Sequence, residues 1–218
     1  MSDDLKLVEL VAARLCHDLV GPVGAIVNGV ELLGDGAADP EVTALIADSA
    51  RRASRRLQVY RVAYGSANSL ASSRRLDECR RLIQALCETQ PNVKLEWLNA
   101  DDATEQATGR TCAKITLIFA MVAADVLPRG GALRVRHAVQ PGERISLSVV
   151  AEGAHARLPD DVQAAFEPTL DESPSPKAAP VVVALRLARA AGGNVSLSPG
   201  AGDRVERSEE HTSELQSH

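Results

Sequence analysis

Residues 14–26, RLCHDLVGPVGAI, lie within a long apolar periodic segment and combine one titratable ring with two residues that disfavour helices. Glycine inside a helix costs about 1 kcal/mol relative to alanine, and proline about 3 kcal/mol, because proline removes a hydrogen bond and clashes with the preceding turn. The juxtaposition of His17, Gly21 and Pro22 therefore requires a reason, which the flanking residues help to identify.

The apolar residues on both sides recur every three or four positions, the spacing of one face of an amphipathic helix. They are Val8, Val11, Leu15, Leu19, Val23, Ile26, Val30 and Leu33. Because this stripe keeps its phase across Gly21 and Pro22, it predicts one long, bent helix over residues 5–33. The alternative is that Gly21 and Pro22 end one helix and Val23 begins another.

A second amphipathic segment, residues 40–64, follows a turn marked by Gly34, Gly36 and Pro40. Two long helices joined by a short turn form an antiparallel hairpin. Since such a hairpin cannot surround its own apolar stripes, burial favours a homodimer in which two copies form a four-helix bundle. The alternative is that the hairpin packs on the rest of its own chain.

Residues 65–73, GSANSLASS, are small and polar, as in a linker between domains. Helical and strand patterns then alternate, which predicts an α+β fold: the hairpin domain, residues 1–65, followed by an α/β sandwich, residues 74–206. The sandwich is predicted to contain helices at 76–88, 110–126, 160–166 and 181–191, strands at 93–98, 133–139, 145–150 and 195–198, and a Pro/Ser-rich loop at 167–180.

The final segment, RSEEHTSELQSH, residues 207–218, is polar and shows neither the helical nor the strand period. It follows GDRVE abruptly and looks like a translated adaptor or cloning scar joined to a truncated reading frame. We therefore expect a disordered tail outside the fold and a sheet without its last strand, which would leave an exposed edge.

Composition narrows the function classes. A net charge of −5 and 2% aromatic residues give neither attraction to nucleic acid nor rings to stack on bases. The N-terminus is acidic, unlike a signal peptide, and we expect no apolar run of membrane-span length, so a cytoplasmic protein is predicted. The four cysteines lack metal-site spacing and are expected to be buried: Cys16, Cys79, Cys87 and Cys112.

His17 lies opposite the centre of the apolar stripe, so its ring is expected to face water. The neighbouring residues on this outward face are all small: Ala13, Gly21, Gly24 and Asn28. Another protein backbone could therefore approach the ring closely.

The motif HDLVGP, residues 17–22, resembles the phosphoacceptor box of histidine kinase dimerisation domains. In that box an acidic residue follows the histidine, and a proline preceded by a small polar residue comes four positions later. A helical hairpin followed by an α+β sandwich is also the order of a dimerisation domain and a GHKL-type ATP-binding domain. Gly21 replaces the usual polar residue, which disfavours a dephosphorylating role.

The resemblance implies an asparagine that holds Mg²⁺ and an Asp-x-Gly-x-Gly loop that reads adenine, and the sequence lacks both. The segment LIFAMVAADVLPRGG, residues 117–131, offers Ala123 and Ala124, which cannot ligate a metal. In the adenine loop, Ala151 replaces the aspartate and His155 replaces the second glycine.

The phosphate loop is also altered, since Pro180 and three valines, residues 181–183, replace the glycines whose amides would cradle phosphate. The second domain therefore resembles a degenerate histidine kinase ATP-binding domain and is expected not to bind ATP. The combination is similar to the dimeric, ChpT-like histidine phosphotransferases of alphaproteobacteria.

That resemblance implies a phosphorelay protein that carries phosphoryl groups from the receiver domain of a hybrid histidine kinase to receivers of response regulators that control the cell cycle. His17 would be the phosphoacceptor and Asp18 would orient its ring. Neutral imidazole is a competent nucleophile near pH 7. Receiver domains bring their own Mg²⁺, so no cofactor or metal ligand is expected in this chain.

Basic residues near His17 suggest how acidic receivers dock. Arg14 could meet the phosphoryl group, or it could be a solvated helix charge. Four arginines in RRASRR, residues 51–56, are expected to form a strip facing away from the apolar stripe of the second helix, which either steers receivers or is simply solvated. The predicted partner-binding residues are Arg14, Gly21, Gly24, Asn28, Arg51 and Arg55. An active histidine kinase and a non-catalytic dimeric scaffold remain the alternative functions.

Overall fold

The computed structural model describes residues 2–34, 39–65, 75–90, 92–98, 101–142, 144–167, 174–199 and 204–211. The first elements are α1 (Asp3–Gly34), α2 (Pro40–Ala63), α3 (Arg75–Cys87), β1 (Val93–Leu98), α4 (Asp102–Ala107) and α5 (Arg110–Asp125). They are followed by β2 (Gly131–Gln140), β3 (Arg144–Glu152), α6 (Asp160–Ala164), α7 (Ala179–Ala190), β4 (Asn194–Pro199) and β5 (Arg204–His211).

The segment that carries His17 lies within a single helix, α1, with Pro22 inside it. This confirms the prediction of one continuous helix and excludes an end at Gly21 with a restart at Val23. Pro22 has no N–H, so it cannot donate the usual helical hydrogen bond to the Asp18 carbonyl. The packing of the helix on its neighbours compensates for this local loss.

Helices α1 and α2 pack against each other as the predicted hairpin. Helix α2 begins where expected, because the Asp39 side chain accepts a hydrogen bond from the Glu41 N–H and Pro40 occupies the first turn. The two helices approach each other closely at Gly29, where an added Cβ would lie 2.5 Å from Ile46 Cγ1.

A strip of large apolar side chains on the hairpin is about half exposed or more. It comprises Leu5, Val8, Val20, Val23, Val27, Val30 and Leu32 on α1, with Leu45 and Leu57 on α2. The sandwich covers part of the hairpin through contacts of α7 with α1 and of α3 and α5 with α2. Packing within one chain therefore leaves much of the apolar surface open, and the homodimer stays a prediction.

Helix α1 is also long and apolar enough to cross a membrane by length and composition alone, with a mean hydropathy of 1.5 over an 18-residue window. The expectation that no apolar run reaches that length is therefore wrong. The cause is that α1 carries apolar side chains on two adjoining faces, one against α2 and one exposed. In this structure Arg14 and Asp18 of α1 make ion pairs with α2 and α5, so the helix packs against the rest of the chain.

The second domain is the predicted α+β sandwich. The five strands that the structure describes in it lie in the order β1-β2-β3-β5-β4, with β1 and β2 parallel and the other pairs antiparallel. Helix α5 is buried along most of its length between the sheet and helices α3 and α7. The short helix α4 was not predicted, because six residues give too little sequence for a periodic pattern.

Strand β5 corrects the expectation about the end of the chain. Residues 204–211 pair with both β3 and β4, so the sheet does not lack its last strand and residues 207–211 lie within the fold. The physical reason is that β3 and β4 otherwise present unpaired edges, and main-chain hydrogen bonding does not require an alternating side-chain pattern. Residues 212–218, most of the linker and residues 168–173 of the Pro/Ser-rich loop lie outside the described residues.

The cysteines are divided between the core and the surface. Cys79, Cys87 and Cys112 are buried, as expected. The expectation is wrong for Cys16, which is exposed. It lies on α1 beside the exposed apolar strip, which no other described element covers.

Replacing Gly29 by valine is expected to destabilise the hairpin, because the added Cβ would overlap Ile46. Overpacking of this kind costs about 1–3 kcal/mol in the free energy of unfolding, which urea denaturation followed by circular dichroism measures. The matched control is Gly24→Val, where no atom lies within 4 Å of the added Cβ. Equal destabilisation by both variants would contradict the assignment of the loss to contact with Ile46, because valine has a higher helix propensity than glycine at either position.

Candidate functional site

The His17 ring projects from α1 into solvent, with its side chain 73% exposed. This confirms the prediction that the ring faces water. Its predicted neighbours leave the surface open, since a Cβ added at Gly21 or Gly24 would meet no atom within 4 Å, and Ala13 and Asn28 are exposed. A partner protein can therefore reach the ring without displacing a side chain at these positions.

One nitrogen of this ring faces a buried carboxylate. His17 Nδ1 lies 3.2 Å from Asp18 Oδ1, and the Asp18 side chain is only 5% exposed. An ionised carboxylate can only accept hydrogen bonds, so the Nδ1 that faces it carries the proton. The lone pair of the neutral ring is then at Nε2. The contact that an orienting role for Asp18 requires is thus present.

The other oxygen of Asp18 is surrounded by donors from α1 and α2. The Tyr60 hydroxyl donates to Asp18 Oδ2, and Arg56 Nη1 donates to the same atom at 2.7 Å. Arg14 Nε lies 2.9 Å from it as an ion pair without hydrogen-bond geometry. Asp18 is therefore fixed by three side chains while it holds His17.

These contacts determine the charge of the Asp18 carboxyl. Burial alone raises its pKa, but the hydrogen bond from Tyr60 and the positive charges of Arg56 and Arg14 outweigh burial and hold the pKa below its usual value of 3.8. Burial and the hydrogen bond to Asp18 raise the pKa of Tyr60, so its hydroxyl keeps its proton and remains a donor. Asp18 is therefore an anion at neutral pH.

The second domain also takes part in the site, through Asp125 at the last residue of α5. Asp125 Oδ2 accepts a hydrogen bond from Arg14 Nη2, and Asp125 Oδ1 accepts one from Arg56 Nη2, both at 2.6 Å. The pKa of Arg56 is lowered by burial but raised more by Asp125, so this side chain stays charged. Two arginines and two aspartates thus join the hairpin to the sandwich directly beneath His17.

A cleft of about 740 Å³ opens between the hairpin and the sandwich beside His17. Besides His17 and the ion pairs, its lining includes Gly21, Arg52, Thr89, Gln90, Pro159 and Lys177. Arg52 and Lys177 give this wall positive charge. The cleft therefore suits a partner that brings an acidic group toward the ring.

The predicted basic strip is only partly present. Arg51 and Arg55 line a second groove, together with Arg52, next to the end of α3. Arg51 also pairs with Asp48 on the surface. The expectation for Arg56 is wrong, because this residue points toward Asp18 and Asp125, which neutralise it. Helical periodicity assigns a residue to a face but cannot foresee a counter-ion on another element.

The alternative view of Arg14 as a solvated helix charge is also wrong, because its side chain is 14% exposed and paired with Asp18 and Asp125. Its predicted contact with a phosphoryl group stays a prediction. Tyr60 and Asp125 were missed altogether as site residues. Tyr60 matched the apolar stripe of α2, whereas Asp125 carried a usable signal, since it is an acidic residue at the end of an otherwise apolar helix.

Core residues occupy the positions at which the kinase resemblance places the Mg²⁺ ligand, the adenine-loop aspartate and the start of the phosphate loop. Ala123 and Ala124 are buried in α5, and Ala151 is buried in β3. Helix α7 begins where the phosphate loop would lie, with Pro180 in its first turn and Val181 fully buried. Among the residues that the structure describes, no group of three or more His, Cys, Asp or Glu side chains is placed to hold a metal ion.

Replacing Asp18 by asparagine is expected to lower the free energy of unfolding at pH 7 by about 3 kcal/mol, because two partly buried arginines lose a counter-ion. The folded-state pKa of Asp18 is lowered, so its stabilisation is present above the unfolded value of about 3.9 and is lost as the pH falls through the folded value. The gap between wild type and variant should therefore shrink below about pH 4.

Urea denaturation across this pH range measures that gap. Asp3→Asn, which removes an exposed carboxylate from the first turn of the same helix, is the control and should leave stability nearly unchanged. A gap between wild type and Asp18→Asn that is constant from neutral to strongly acidic pH would contradict the assignment of the charge to Asp18.

Comparisons with known proteins agree with this architecture. Residues 76–203 match the family of the histidine phosphotransferase C-terminal domain. Protein phosphotransferase ChpT of Brucella abortus (strain 2308) is 36% identical over 138 residues, which span 61% of this chain and 61% of that protein. The solved structure of a bacterial phosphotransferase superposes with a TM-score of 0.77 at 27% identity and covers 96% of this chain and 97% of its own. Since the family match covers more than half of its residues, the chain belongs to the histidine phosphotransferase family.

Proposed function

We propose that this protein is a histidine phosphotransferase that relays phosphoryl groups between receiver-domain aspartates of a two-component phosphorelay, without ATP. The observation that carries the proposal is the pairing of an exposed ring with a buried support: His17 is open to solvent, while Asp18 holds its Nδ1. Membership of the phosphotransferase family supports the same function.

The ring geometry suits attack on an aspartyl phosphate. The Nε2 lone pair of His17 attacks phosphorus, the new P–N bond forms, and the P–O bond to the receiver aspartate breaks with release of its carboxylate. The proton at Nδ1 stays on the ring, which becomes positively charged, and the Asp18 carboxylate stabilises that charge. Transfer to a second receiver is the same step reversed.

The receiver domain supplies Mg²⁺ in this mechanism, and this chain needs no cofactor. The charged groups nearest to His17 support that view, because Asp18 is engaged by two arginines and is not available as a metal ligand. Independence from ATP is supported by Ala151, Pro180 and Val181, which put packed apolar side chains where a nucleotide would need a carboxylate and glycines.

The partners in this proposal are a second copy of the chain and two kinds of receiver. The exposed apolar strip on α1 and α2 would be covered in a four-helix bundle formed by two hairpins. Donor receivers belong to a hybrid histidine kinase, and acceptor receivers to response regulators of the cell cycle. The ion pairs that join α1 to the sandwich support a cytoplasmic location for this helix.

Phosphotransfer from a purified phosphorylated receiver tests the function. Wild type should acquire acid-labile label, and His17→Ala should acquire none. The matched control is His155→Asn, which removes another exposed histidine at a position whose φ of 66° asparagine tolerates. Label on both His17→Ala and wild type, or on neither, would contradict the proposal and favour a scaffold. Label from ATP alone would instead indicate an active kinase.

Reversing the charge of Arg51 and Arg55 together, as Arg51→Glu with Arg55→Glu, is expected to slow transfer from a receiver about tenfold at low salt, because acidic partners lose electrostatic attraction. The salt dependence of the rate should weaken as well. The control is Arg136→Glu with Arg144→Glu, which reverses two exposed arginines on β2 and β3 and changes the net charge by the same amount. Equal slowing by both would show that net charge, and not this part of α2, determines the rate.

A further inference from the structure

The sandwich contributes one side chain to the support of the phosphoacceptor, Asp125 of α5. It accepts hydrogen bonds from Arg14 and Arg56, the two arginines that also contact Asp18. Asp125 makes no hydrogen bond or ion pair with His17, so its influence on the ring passes through the arginines and Asp18.

The position of Asp125 is unfavourable for its own helix. It is the last residue of α5, where the unpaired carbonyls and the helix dipole disfavour a carboxylate, and no basic residue occupies that last turn. Its counter-ions, Arg14 and Arg56, belong to the helices across the domain boundary. A role at the site accounts for this placement.

Each arginine contacts the two carboxylates through different nitrogens. Arg56 uses Nη1 for Asp18 and Nη2 for Asp125, and Arg14 uses Nε for Asp18 and Nη2 for Asp125. Arg56 therefore makes a single hydrogen bond to Asp18, at Oδ2, although a guanidinium and a carboxylate prefer a two-point fork. Because Nη2 of Arg56 donates to Asp125, it does not form the second bond of a fork on Asp18. The other oxygen of Asp18, Oδ1, therefore remains available to His17.

We infer that Asp125 is a positioning residue for phosphotransfer: by binding the free ends of Arg14 and Arg56, it keeps Asp18 Oδ1 for the His17 Nδ1 proton and thus presents Nε2 as the nucleophile. This inference rests on the proposed function. Without Asp125, the arginines close a fork on both oxygens of Asp18, and the ring loses the acceptor that fixes its tautomer. In the intact protein, the sandwich thus affects the transfer step through Asp125 without contacting the ring.

Nitrogen-15 NMR of the His17 ring in the full chain, at a pH where the ring is neutral, tests the inference directly. Wild type should carry the proton at Nδ1. Asp125→Asn keeps the size of the side chain but removes its charge, and it should yield a mixture of the Nδ1–H and Nε2–H tautomers, as should Asp18→Asn. A second variant, Asp125→Glu, keeps the charge and should restore the wild-type tautomer at least in part.

Transfer from a phosphorylated receiver provides the functional measurement. Asp125→Asn should slow it about tenfold, the scale of loss when a residue that orients a reacting side chain is removed. Asp4→Asn is the matched control, because it breaks the ion pair between Asp4 and Arg186 that also joins α1 to the sandwich but lies away from His17. That variant should keep the wild-type tautomer and rate.

Two outcomes would overturn the inference. One is an unchanged Nδ1 proton in folded Asp125→Asn. The other is the same change of tautomer and rate in Asp4→Asn, which would mean that docking of the domains matters and not the charge at residue 125. If wild type accepted no phosphoryl group, the proposed function would fail, yet the tautomer comparison would still decide whether Asp125 positions the ring.

Discussion

A carboxylate removed from water needs positive partners, and the Asp18 carboxylate has them on two sides. Its side chain is almost wholly buried, so the charge persists only because Tyr60, Arg56 and Arg14 surround it. Arg56 and Arg14 carry more positive charge than Asp18 neutralises, and Asp125 of the sandwich supplies the balance. The ion pairs that neutralise the buried charge of Asp18 thus also fix the position of the hairpin relative to the sandwich.

The reactive ring and the groups that orient it lie in different environments. The ring of His17 is in solvent, where a partner can reach it, whereas the groups that orient the ring lie below the surface, where neighbouring side chains limit their movement. A histidine with only solvated neighbours would rotate and exchange tautomers. The sandwich, whose nucleotide positions are filled by alanine, proline and valine, still contributes to the architecture by covering the ion pairs from one side.

Local patterns in the sequence determine the parts of this structure that could be predicted. The apolar period through residues 5–33 predicts a continuous α1 and an outward His17, because both depend only on neighbours along one helix. Arg56 and Asp125 are 69 residues apart in sequence, and nothing in either segment indicates that they meet. Residues 207–211 show the converse, since an aperiodic polar segment pairs through its main chain when two strand edges are available.

The openness of α1 at Gly21 and Gly24 has a kinetic consequence for a relay. In the proposed relay, donor and acceptor receivers would have to approach the same nitrogen across this open flank of the helix, so one ring could not serve both at once. Each His17 would then follow a ping-pong scheme, in which the discharged donor departs before the acceptor arrives. Unphosphorylated receivers of either kind would compete for that flank, and the cellular ratio of the two partners would govern the flow of signal.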